Sequence, residues 1–92
     1  MNTRDENFDP YVCERLSAAN NGNAKAQYDL GLLFATGQGV SQNLVEAHKW
    51  FNLAALSGMQ RAQVDCSEVA RDMSKRDLQL ALRSAREWQT KH

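Results

Sequence analysis

Apolar residues recur along this chain at helical rather than alternating spacing. Ala26, Leu30 and Phe34 lie on one stripe, with Tyr28 and Leu33 at its borders, and predict a helix over about Asn23 to Thr36. Lys25, Asp29, Leu32 and Thr36 fall on another face of it. Leu44, Ala47, Phe51, Ala54 and Ala55, widened by Trp50, predict a second helix that opens on Asn43 as N-cap and runs to Ser57, with Gly58 placed to end it. Glu46 and Lys49 are expected on its wet side as a weak pair. Between the helices stand Gly37 and Gly39, the residue type that accepts the positive φ needed to stop a helix and reverse the chain, and Val40 is expected to fold back onto the core. An interior glycine costs a helix about 1 kcal/mol relative to alanine. Gly31 therefore predicts a close approach by the neighbouring helix, with Trp50 or Phe51 as the visitor.

The flanks continue the helical theme. Asp9 followed by Pro10 is a helix start that leads through Leu16 to Ala19. A helix of about Gln60 to Asp72 carries Ala62, Cys66 and Ala70 on one stripe. Ser74 and Asp77 form a capping box for a last helix whose core stripe is Leu78, Ala81, Leu82, Ala85 and Trp88. Leu80 lies nearly opposite Leu78 and Leu82 and is expected to face outward. The expected fold is all-α, with five helices in antiparallel succession.

An internal repeat organises these elements. Ala18, Ala19, Gly22, Ala26 and Gln27 recur as Ala54, Ala55, Gly58, Ala62 and Gln63, each 36 positions later. Such a period is a solenoid signature, and terminal units of solenoids depart from the consensus because they close the core against water. The expected division of this single domain, residues 1–92, is a partial repeat helix at 9–21, a full repeat at 22–57, and a partial repeat with a capping helix at 58–92.

With the residues laid out, the unit resembles a Sel-1-like repeat, a relative of the tetratricopeptide repeat. The resemblance rests on Gly22, Ala26, Leu30, Gly31 and Phe34, then Gly37, Gly39 and Val40, then Ala47, Trp50, Phe51, Ala54, Ala55 and Gly58. Asn43 stands where that family more often has Asp, and the sequence Ala85 to Trp88 looks like its capping helix. The resemblance implies a short right-handed α-α superhelix and a protein–protein interaction module, adaptor or scaffold, often bacterial. In such solenoids the first helices of successive repeats line the concave side, which points to Lys25, Asp29, Leu32, Arg61, Asp65 and Glu68 as a partner surface. Leu80 is the candidate for a contact at the end of the stack, and self-association through open stack ends is the alternative role.

Composition narrows the classes further. The chain has 92 residues, enough for one domain, and 42% of them are hydrophobic, which suits a folded protein. Eleven Lys and Arg against eleven Asp and Glu give a formal net charge of zero, so nucleic acid and anionic membranes are not expected partners. The surplus of basic residues after Gly58 is slight, and no aromatic lies between Arg76 and Arg83 on their helix face to stack on bases. Met1 to Phe8 hold Arg4, Asp5 and Glu6 without an apolar core, unlike a signal peptide, and the longest apolar stretch, Leu30 to Ala35, is far short of a membrane span. A cytoplasmic location is the expectation. There Cys13 and Cys66 read as small buried residues; a redox pair would need both on neighbouring helices. His48 has Asn52 rather than a second ligand four residues on, and the chain contains no HExxH, GxSxG, P-loop or GxGxxG motif. No catalytic residue, metal or cofactor is therefore expected.

Overall fold

The structure, a computed structural model, describes residues 8–92. The sequence reading of Met1 to Phe8 thus concerns, for residues 1–7, positions outside the described residues. Among the described residues the fold is all-helical: α1 Pro10–Asn20, α2 Ala24–Thr36, α3 Leu44–Leu56, α4 Gln60–Arg71 and α5 Lys75–Lys91. No helix among them is long and apolar enough to cross a membrane.

Short polar side chains set the helix starts. Asp9 accepts from the Tyr11 amide at 2.8 Å, Asn23 from Ala26 at 2.9 Å, Asn43 from Glu46 at 3.1 Å and Ser74 from Asp77 at 3.0 Å. Each satisfies one of the amides that a helix N-terminus leaves unpaired. The α2–α3 loop is fixed from both sides. Gly37 ends α2 in the left-handed region (φ 75°), and the Asn43 amide donates to the Phe34 carbonyl at 2.9 Å. The Asp9 amide donates to the Gly39 carbonyl at 3.0 Å, so the start of α1 is tied to the loop.

The repeat is reproduced in backbone bonds. After α1, Gly22 donates to Ala19 at 3.0 Å and Asn23 to Ala18 at 3.1 Å; after α3, Gly58 donates to Ala55 at 2.9 Å and Met59 to Ala54 at 3.2 Å. Both glycines have positive φ, 91° and 102°, and the alanines that follow each turn, Ala26 and Ala62, are fully buried.

Packing makes α3 the central helix. α2 packs on α1 and α3, while α3 also receives α4 and α5. Trp50 and Phe51 are each 1% exposed, and the Phe51 ring occupies the space a Cβ on Gly31 would need, which settles which aromatic visits that glycine. Val40 is half-buried against the core as expected. Leu53 and Val12 are buried too, beyond the expected stripes, because α3 is covered on more than one side and Val12 lies under Gly39.

Three expectations need correction. Leu82 is exposed at 42% rather than core, because α5 rests on α3 through Ala81 and Ala85 and leaves Leu82 at the edge of that contact. Glu46 and Lys49 do pair, 3.8 Å apart, but they are half-buried rather than on an open wet face: the Lys49 ammonium lies 4.5 Å from the Trp50 ring centroid, and Glu46 accepts from the Trp50 indole N–H at 3.2 Å. Cys13 and Cys66 are half-buried rather than buried.

The end of α5 is anchored. Trp88 meets Trp50 edge-on with centroids 6.1 Å apart, and its Nε1 donates to Asn20 Oδ1 of α1 at 3.0 Å. His92, placed at the chain terminus, stacks on Trp88 at 4.1 Å.

Candidate interaction groove

The candidate partner surface lies between α2, α3 and α4. A groove of about 330 Å³ there has an apolar lining of Leu32, Leu44, Phe51 and Val69 and a charged lining of Asp65, Glu68 and Asp72. The acidic residues recur along one face of α4 and just past its end, so their carboxylates share a side without an intervening cation in the lining. Leu32 is 40% exposed, which gives the groove an accessible apolar anchor point.

Local structure fixes this lining. Phe51 is held between Gly31 and the ring of Tyr28, whose centroid is 5.5 Å away. The Tyr28 hydroxyl donates to Asp65 Oδ2 at 2.5 Å and accepts from Arg61 Nε at 3.1 Å. Burial, and then the Asp65 carboxylate, push the Tyr28 pKa above its ordinary value while Arg61 opposes them, so the hydroxyl keeps its proton and remains a donor. Asp65 is thereby a fixed acceptor that joins α2 to α4.

The six residues expected on the concave face divide. Leu32, Asp65 and Glu68 meet in the groove. Arg61 is used to orient Tyr28. Asp29, with a side chain 12% exposed, accepts from Lys25 Nζ at 3.0 Å and from Arg15 Nη1 at 3.1 Å, so it ties α2 to α1 and the charge of Lys25 is answered within the chain. Leu80 is 43% exposed on α5, outside this groove.

Sequence reasoning missed a second groove, of about 570 Å³, beside α1, the α2–α3 loop and α3, where Phe8, Leu16, Val40 and Trp50 contribute apolar lining and Glu46 and Lys49 the charge. Its signal was hidden because Val40 and Trp50 read as core positions, Leu16 as part of a helix, and Phe8 lay outside every expected element. Its two charges lie 3.8 Å apart and offset each other, which leaves no net demand on a partner.

The remaining reactive groups are placed as structure. His48 is 5% exposed, and burial lowers its pKa. Its carbonyl accepts from the Cys66 thiol at 3.8 Å, and burial pushes that thiol up to about 11, far from a reactive thiolate at neutral pH. Cys13 is on α1, which packs on α2, and Cys66 on α4, which packs on α3.

Residues 24–59, from the first residue of α2 to the residue that precedes α4, match the family model of the Sel1 repeat. The chain contains a Sel1 repeat. No curated protein matches it. Sel1 repeats form a non-catalytic family that mediates protein–protein interaction. The matched Sel1 segment contains Gly31, against which Phe51 packs under the groove, Gly37 and Gly39 in the turn into α3, and Gly58 in the turn into α4.

Proposed function

We propose that this protein is a non-catalytic interaction module, an adaptor or scaffold, that holds a partner protein in the groove between α2, α3 and α4. The observation that carries this reading is the groove lining itself: exposed Leu32 beside Leu44, Phe51 and Val69, bordered by Asp65, Glu68 and Asp72. Apolar surface surrounded by like charge is suited to selective recognition, because the apolar part supplies affinity and the charges reject partners of the wrong sign. Among the described residues, no three His, Cys, Asp or Glu side chains gather as metal ligands.

The test compares capture of partners by the wild type, a Leu32→Asp variant and a Glu68→Lys variant, each shown by circular dichroism to remain helical. Loss of the same partner from both variants supports the groove. A partner retained at full strength by both would place recognition elsewhere.

A further inference from the structure

The molecule carries a second exposed surface that is the charge inverse of the groove. Lys75, Arg76, Arg83 and Arg86 of α5 are all exposed, and at about 100° per residue they share the arc opposite Ala81 and Ala85, the two residues buried against the rest of the fold. Leu80 and Leu82 border that arc at 43% and 42% exposed. Glu87 is also on it, so the face is basic but not uniformly so. The spacing is matched as well as the sign. Asp65 and Asp72 are seven positions apart with Glu68 between them, and Arg76 and Arg83 are seven apart with Leu80 between them. Seven helical residues span about 10.5 Å, so two charge pairs of equal pitch can align when the helices lie side by side. The chain as a whole has eleven positive and eleven negative side chains, and proteins near zero net charge lack the repulsion that keeps copies apart.

We propose that the occupant of the groove is α5 of a second copy of this chain. Arg76 and Arg83 of one copy face Asp65, Glu68 and Asp72 of the next, with Leu80 set against Leu32 and Val69. The inference rests on the reading of the groove as a binding surface and adds the identity of what fills it. The contact is heterologous, joining two different faces, so it leaves a groove and an α5 face available for further copies unless two copies engage reciprocally.

The experiment is sedimentation velocity on the full chain from micromolar to millimolar concentration, at low and high salt. The expected mass rises with concentration, and high salt weakens the rise because the paired charges lie at the surface. Two variants separate the faces: Glu68→Lys with Asp72→Lys in the groove, and Arg76→Glu with Arg83→Glu on α5. Each variant alone is expected to associate at least about tenfold more weakly than the wild type, since like charges then meet. Mixed in equal amounts, they are expected to associate with each other, because the unaltered groove of one variant can take the unaltered α5 of the other, and the two altered faces are also complementary with the signs exchanged. That recovery also shows both variants to be folded. A wild type that stays monomeric throughout overturns the proposal, as do folded variants that self-associate like the wild type or fail to combine. If the wild type stays monomeric but captures a foreign partner through Leu32 and Glu68, the groove stands as a binding site and only the second-copy occupant is lost.

Discussion

Replacing Gly31 with alanine sets two calculable effects against each other. Alanine is the better helix former, by about 1 kcal/mol at an interior position, so an uncrowded glycine would be improved by the change. Here the new Cβ would overlap Cδ1 and Cε1 of Phe51 and lie 2.9 Å from its Cγ. Phe51 is 1% exposed and packed beside the tilted ring of Tyr28, so its ring has no solvent to retreat into. Overpacking of a filled core costs about 1–3 kcal/mol, and overlap with a buried ring belongs at the upper end. The expected net loss is about 2 kcal/mol, or about 8–16 °C in Tm for a domain of this size. Urea and thermal denaturation followed by circular dichroism measure it. The companion is Phe51→Leu, expected to cost about 1–2 kcal/mol alone. Combined with Gly31→Ala it should cost less than the sum, with a coupling of about 1 kcal/mol, because the smaller side chain vacates the overlapped space. A Gly31→Ala protein as stable as the wild type, or a strictly additive double variant, would refute the steric argument.

Gly39→Ala should destabilise more than Gly22→Ala in the same denaturation assay. Both positions have positive φ, 71° and 91°, worth about 1–2 kcal/mol of strain for alanine, but only at Gly39 does the added Cβ meet a neighbour, Asp9 Cβ at 2.7 Å. Ala54→Leu, at a site with no exposure, should cost about 1–3 kcal/mol; an unchanged Tm would contradict tight α3 packing. Burial holds the His48 pKa below its unfolded value, so its neutral form is the one the fold accepts. Its contribution is therefore intact above about pH 6.5 and is lost as pH falls toward the depressed folded pKa, with a slope of at most about 1.4 kcal/mol per pH unit. Denaturation across that range should show the loss in wild type and a smaller one in His48→Phe.

The elements themselves were legible because helix starts, stops and period are local properties. Asp9, Asn43 and Ser74 cap the helices they were expected to cap, and Gly37 and Gly58 stand where the chain must reverse. Gly31 announced a close approach through its cost alone, although the choice of Phe51 over Trp50 depended on the rotation of α3 against α2. Local spacing also placed Leu32 and Leu80 outside the core.

Other features depended on which helix faces which, and a sequence with one clear repeat does not encode that pairing in any short pattern. Leu82 has the spacing of a core residue but is exposed, because α5 settles on α3 through small alanines. Glu46 and Lys49 have the spacing of a surface pair but engage Trp50, because a large aromatic on the same helix turn offers its ring and its N–H to both. Lys25, Asp29 and Arg61 have the spacing of a binding face, yet Arg15 and Tyr28 draw Asp29 and Arg61 into ties between helices. The sequence by itself determined five helices and a repeat, since these follow from backbone chemistry within a few residues. Only the tertiary structure decided which side chains remain free to meet a partner, since that depends on neighbours distant in the chain.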